Sequence, residues 1–189
     1  MRWFDDLAVV VTFRQTDPLY TVDLSDPASP RTLGALKIPG FSTYLHPMGG
    51  GRLLGIGQDA DLDGTTRGTQ ASVLDVTDLA HPRRLSRLPV DDAMLLAEHD
   101  PRALTWIPTD RAGGVVLAGA STRLDGRSAV IELRVGVDGS LTRGRTWPLG
   151  SAYDVQGPAT PRALPLGGGR VALVGTSVTV VQVATGDLG

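Results

Sequence analysis

The sequence predicts an all-β fold of about four repeated units, and two internal echoes and one pattern of punctuation carry that prediction. The first echo is Asp23-Leu24-Ser25-Asp26-Pro27-Ala28-Ser29-Pro30-Arg31, which returns 52 residues later as Asp75-Val76-Thr77-Asp78-Leu79-Ala80-His81-Pro82-Arg83. Each copy lies between alternating strand-like runs, so the repeated words mark the same turn in two copies of one supersecondary unit. The second echo is Gly49-Gly50-Gly51-Arg52-Leu53-Leu54-Gly55-Ile56-Gly57, matched by Gly167-Gly168-Gly169-Arg170-Val171-Ala172-Leu173-Val174-Gly175. A looser copy runs from Arg111 to Gly119, and a fourth relative opens the chain at Asp5 to Thr12. The punctuation is 24 Gly and 13 Pro between short Val-rich and Leu-rich runs, with no window that sustains the apolar spacing of a long helix. Aligning Val11, Ile56, Ala118 and Val174 gives intervals of 45, 62 and 56 residues. These lie near or somewhat above the roughly 40 to 50 residues of a four-stranded propeller blade. The reading is a single β-propeller region over residues 1–189, with blades at about 2–40, 41–92, 100–150 and 160–189.

The elements follow in order. Arg2-Trp3-Phe4 reads as the innermost strand of the first blade, Leu7 to Phe13 as the next, then Leu19 to Leu24 and Thr32 to Ile38. Asp17-Pro18 and the Asp26 to Pro30 stretch separate them, because proline donates no backbone hydrogen bond and biases its predecessor away from helix. Thr43 to Leu45, Arg52 to Gly57, Ala71 to Val76 and Arg84 to Val90 make a complete second blade. Asp91 to Glu98 is the best helical stretch, an Asp-initiated connector of barely two turns. The third blade runs through Ala103 to Ile107, Gly114 to Ala118, Ala129 to Val135 and Ser140 to Trp147, with Asp138-Gly139 as a hairpin turn. The fourth has Arg162 to Pro165, Val171 to Gly175 and Ser177 to Val183, and lacks its outer strand. A propeller closes only when its last blade acquires that strand, so an open or partial ring that self-associates through blade edges is expected.

The run from Arg2 to Leu24, continued by Leu36 to Pro47 and Gly55 to Ala60, resembles secreted bacterial proteins with a C-terminal β-propeller distantly related to WD40 proteins. The resemblance is specific over residues 2 to about 90 and implies an extracellular or cell-envelope setting. Members of that family are longer, so the resemblance also implies a fragment or truncated member, and it supplies no catalytic residue. Arg2, Asp5, Asp6, Arg14 and Asp17 interrupt the first twenty residues, which rules out a signal peptide within this stretch. No run approaches the roughly 18 apolar residues of a membrane span.

A net charge of −2 and a single lysine, Lys37, offer no clustered cations for nucleic acid. The absence of cysteine excludes disulfides and thiolate chemistry. The sharpest chemical motif is Asp59-Ala60-Asp61-Leu62-Asp63-Gly64, where alternate carboxylates on a turning backbone can converge on one hard cation. Calcium is its natural cofactor, with Asp59, Asp61 and Asp63 as side-chain ligands and Thr65 as a backbone contributor. It is no EF-hand, since the twelfth position holds Gln70 instead of glutamate. The competing reading is a polar hairpin loop, which favours the same residue types.

Catalytic sets are harder to assemble. The three histidines are His46, His81 and His99, and no Gly-x-Ser-x-Gly elbow is present. His81 falls in the repeated turn where its counterpart is Ser29, which favours a structural role. Glu98-His99-Asp100 sets two carboxylates around an imidazole, but neighbours on an extended chain point to opposite faces. Asp23 and Asp75 read as acceptors for backbone N–H groups inside the turn. Trp3, Trp106 and Trp147 read as packing between blades, and the triple glycines as hairpin tips, because no Gly-Lys-Ser/Thr follows them. No catalytic residue is assigned. The function expected is a noncatalytic binding or scaffold module whose partner is a protein or glycan. The alternative is part of a propeller hydrolase whose site needs additional blades.

Overall fold

The structure, a computed structural model, describes residues 1–11, 18–37, 41–60, 66–109, 113–122, 125–150, 153–154, 157–158 and 160–183. Strands dominate it, and they pair antiparallel in chain order. Strands β1 (Arg2–Phe4), β2 (Leu7–Val11), β3 (Pro18–Asp23) and β4 (Arg31–Lys37) form the first sheet. Strands β5 (Phe41–Gly49), β6 (Arg52–Ala60), β7 (Thr66–Asp75) and β8 (Arg83–Val90) form the second. The third consists of β9 (Ala93–Leu95), β10 (Leu104–Pro108), β11 (Gly114–Thr122), β12 (Ser128–Val135) and β13 (Leu141–Pro148). A short pair, β14 (Tyr153–Asp154) and β15 (Gly157–Pro158), precedes the last sheet of β16 (Arg162–Gly167), β17 (Arg170–Val174) and β18 (Val178–Gln182). The all-β prediction holds, as does the division into antiparallel, propeller-type sheets joined by short turns.

The chain divides into two compact units, Met1–Pro89 and Val90–Gly189. In the first unit, Val9, Val11 and Leu19 of the first sheet pack with Leu45, Leu53, Leu74 and Val76 of the second. Leu53 and Leu74 face each other across β6 and β7, while Leu54 and Val73 share the other face and are equally buried. Both faces of the second sheet are therefore apolar, which suits a sheet covered on both sides. Fully burying each such leucine stabilises the fold by roughly 1.5 to 3 kcal/mol. A bond between sheets fixes their approach: the Thr21 hydroxyl donates to Leu79 O at 2.5 Å. Gly34 completes that joint, because a Cβ built there would sit inside the carbonyls of Leu79 and Ala80.

The second unit repeats the arrangement. Val115, Leu117 and Val130 of the third sheet pack with Ala163, Val171, Leu173 and Val183 of the last, and Trp147 closes against the same cluster. Thr105 donates to Ala163 O at 2.7 Å across these two sheets, as Thr21 does in the first unit.

Three expectations change. Asp91 to Glu98 is not a helix: Ala93–Leu95 is strand β9, and the helical part is one 3-10 turn, Leu96–Glu98. Strand β10 covers β11 only as far as Ala118, and β9 takes the remaining edge through Leu95 opposite Ala120 and Ala93 opposite Thr122. Its burial alternates, with Ala93 and Leu95 inside and Met94 out, the strand period and not the helical one. Trp3 is exposed and does not pack between sheets. The third hairpin also enters one residue out of the expected register. Leu117, not Ala118, occupies the place of Ile56, because Leu117 joins the cluster facing the next sheet as Val11 does in the first unit. A slip of one residue exchanges the two faces of a strand.

Candidate functional site

The repeated turn is built alike in both copies. Asp23 Oδ1 accepts the Ser25 N–H at 2.9 Å, and Asp26 Oδ1 accepts the Ala28 N–H at 3.1 Å. In the second copy Asp75 Oδ1 accepts the Thr77 N–H at 3.0 Å, and Asp78 Oδ1 accepts the Ala80 N–H at 3.0 Å. An arginine eight residues on closes each turn, Arg31 to Asp23 Oδ2 at 2.7 Å and Arg83 to Asp75 Oδ2 at 2.8 Å. Hydrogen bonds from Ser25, then Arg31, hold the Asp23 carboxyl down at about 2. Those from Thr77, then Arg83, do the same for Asp75, also at about 2. His81 belongs to this structure, its Nδ1 standing 2.9 Å from Asp78 Oδ2 in an exposed turn.

Asp59, the first residue of the expected calcium loop, is a buried carboxylate one residue before the end of β6. Asp61, Asp63 and Thr65 lie outside the described residues. Asp59 Oδ2 accepts from Arg87 Nη2 at 2.6 Å, while its Oδ1 is buried without a hydrogen-bond partner. Arg84 Nη1 is buried and unpartnered as well. Burial, then the like charge of Arg87, lower the pKa of Arg84, and Asp59 partly offsets them. Among the described residues Arg87 is bonded to Asp59 and Arg84 lies near enough to feel both charges. Gln70 and Ser72 stand opposite Gly57 and Gly55 on the Asp59 face of β6 and β7. Gln70 Nε2 donates to Gln58 O at 3.2 Å, and Gln70 Oε1 and Ser72 Oγ have no partner. Among the described residues no group of three or more His, Asp or Glu is placed to hold a metal ion.

The histidines stand apart. On β5 the Tyr44 hydroxyl lies 3.1 Å from His46 Nδ1, and the Arg2 guanidinium lies 4.7 Å from the Tyr44 ring centre. Arg2 also donates to Leu45 O, which ties the inner strands β1 and β5 together. Burial, then the Arg2 charge, push His46 below its ordinary value. His99 is exposed after the 3-10 turn. Asp100 turns to arginine instead, accepting from Arg162 at 2.6 Å and from Arg102 Nε at 3.1 Å. Hydrogen bonds from Arg102, then Arg162, hold Asp100 at about 2. Both Asp100 oxygens are therefore committed to arginine, Oδ1 to Arg102 and Oδ2 to Arg162.

Sequence reasoning missed these arginine partners, although the Asp and Arg eight residues apart in both turns were a usable signal. It also missed Glu132, a buried carboxylate on β12 that accepts from Arg134 Nε at 2.6 Å. Trp106 packs its ring over Gly114 on the neighbouring strand, where a Cβ would collide with it. The triple glycines are hairpin tips, with φ of +87°, +58° and +69° at Gly49 to Gly51 and +85°, +61° and +72° at Gly167 to Gly169.

Antiparallel sheets in chain order, with one face of a sheet laid on its successor inside each unit, are the pattern of propeller blades. The chain belongs to the beta propeller domain family, whose model matches residues 1–132. It is similar to an uncharacterised protein of Methanocaldococcus jannaschii, 38% identical over 106 residues, covering 56% of this chain and 16% of the relative. It is also similar to an uncharacterised protein of Archaeoglobus fulgidus, 41% identical over 87 residues, covering 46% of this chain and 13% of the relative. The chain thus matches less than a fifth of the length of either relative. Both of these relatives are archaeal, and neither supports the bacterial part of the resemblance. No helix of the described residues is long and apolar enough to cross a membrane.

Proposed function

We propose that this chain is a noncatalytic propeller module that presents its turns and sheet edges to a protein or glycan partner, in an extracellular or cell-envelope setting. The observation that carries the reading is how the carboxylates are used. Asp23, Asp59, Asp75, Asp92 and Asp100 each accept from an arginine that locks a turn or joins segments, and Glu132 accepts from Arg134 two residues along its own strand. A carboxylate so engaged is a poor general base, because the partner stabilises its charged, unprotonated form. The compartment rests on the resemblance described from the sequence.

A glycan array and a panel of hydrolase substrates, both applied to residues 1–189, test this reading. Saturable binding that survives His46→Ala and His99→Ala is expected. Turnover abolished by His46→Ala would overturn it. Calcium is a separate question, because at Asp59 the chain supplies its own cation in Arg87. Melting with calcium and with chelator should then give equal Tm values. A calcium-dependent rise that Asp61→Ala abolishes would assign the loop to calcium instead.

A further inference from the structure

The last sheet carries an apolar face that the other sheets bury. Leu164 pairs with Ala172, Ala172 with Val180, and Val174 with Val178, so these residues share one side. On it Leu164, Val178 and Val180 are 52%, 65% and 57% exposed, with Leu166 beside them at 49%. The opposite side, with Ala163, Val171 and Leu173, lies in the core.

The glycine hairpins put the sheets in register. Gly51 matches Gly169, so Leu54, Ile56, Ala71 and Val73 of the second sheet match Ala172, Val174, Val178 and Val180. All four residues of the second sheet are fully buried. Val9, Val11 and Leu19 hold the same side of the first sheet, and they pack on Leu45, Leu53 and Leu74, the opposite side of the second. Val115 and Leu117 hold it in the third, and they pack on Ala163, Val171 and Leu173, the opposite side of the last. One interface is therefore built twice: this side of a sheet on the opposite side of its successor. The opposite side of the first sheet carries Trp3 opposite Ala8, Ala8 opposite Val22, and Val10 opposite Tyr20. Trp3 there is 65% exposed.

We propose that the Leu164, Val178 and Val180 face of the last sheet docks the Trp3 face of the first sheet of a second copy of this chain. The association is a third instance of the interface found in both units, and contiguous exposed apolar patches mark such surfaces. The two patches differ, so the contact is head-to-tail, and two copies satisfy all faces only if the rotation closes.

Light scattering after size exclusion of residues 1–189, over a concentration series, tests it. A species of twice the 19.8 kDa chain mass is expected to grow with concentration. The doubly substituted Val178→Lys, Val180→Lys chain and, separately, Trp3→Lys should each weaken association at least tenfold while the far-ultraviolet spectrum stays unchanged. Mixing those two variants should restore a dimer, because one copy keeps the Trp3 face and the other keeps the valine face. A monomer at every concentration overturns the proposal and leaves the face to another occupant. A dimer insensitive to Trp3→Lys, or no recovery on mixing, overturns it as well, since a self-complementary contact through the last sheet would behave that way.

Discussion

At the scale of single residues the turns hold the most information. Asp23, Asp75 and Asp100 each sit at about 2, below the ordinary 3.8, because N–H and guanidinium donors favour the charged form. A carboxyl whose folded pKa is depressed contributes stability that is complete above the unfolded value and lost as pH falls towards the folded one. Tm should therefore drop between about pH 4 and 2, and Asp75→Asn should flatten the slope in that window; an unchanged slope would contradict the assignment. Gly168 offers a second test, because its φ is +61° and its missing Cβ would face open space. Gly168→Ala should cost about 1 to 2 kcal/mol in urea denaturation from backbone strain alone, and Gly168→Asn less. These turns were legible from the sequence, since an aspartate, three residues and a proline, as in Asp26 to Pro30 and Asp78 to Pro82, specify their own local hydrogen bonds.

At the scale of elements, what was legible stops where strands must choose neighbours. The eight residues from Asp91 look helical because an Asp start and Leu-Leu-Ala are good helix formers, yet β11 outruns β10 and its bare edge captures Ala93–Leu95 as a strand. The third hairpin was misaligned by one residue for a related reason: Val115 to Ala118 is apolar at every position, so periodicity gives no face, and only the packing of Leu117 against the next sheet does. Gly34 shows how tightly sheets are joined, since Leu79 O and Ala80 O stand where its Cβ would be. Gly34→Ala should destabilise the first unit by about 1 to 3 kcal/mol, because both obstacles are backbone and must move. A urea midpoint equal to that of the parent chain would show that the joint has slack.

At the scale of the whole molecule the recurring device is the face that one sheet lays on the next. Within each unit it buries Leu53 against the first sheet and Leu173 against the third, while Leu164, Val178 and Val180 on the other side of the last sheet are exposed. Charge is handled differently. Among the described residues Arg31, Arg83, Arg87, Arg143 and Arg162 each pair with a carboxylate in a turn or at a sheet edge. Asp59 is the departure, with Arg87 bonded and Arg84 left over. Arg84→Gln should leave folding intact and raise Tm by removing repulsion from Arg87, whereas Arg87→Ala should lower it by stranding a buried carboxylate. Opposite signs in a melting experiment are the expected outcome, and a loss from both would show that Arg84 packs as well as repels.

By itself the sequence determined where the repeated turns and the glycine hairpin tips fall, because proline, glycine and Asx turns act over four or five residues and need no neighbour to take shape. It also determined that the strands belong to one repeated unit, because the same turn words recur at the same place in it. Only the tertiary structure decided which side of each strand is buried, that a 3-10 turn and a strand replace a helix, and that Asp59 meets an arginine 28 residues away. Those outcomes depend on the sheet that lies across the interface, and apolar runs without alternation encode burial without encoding direction.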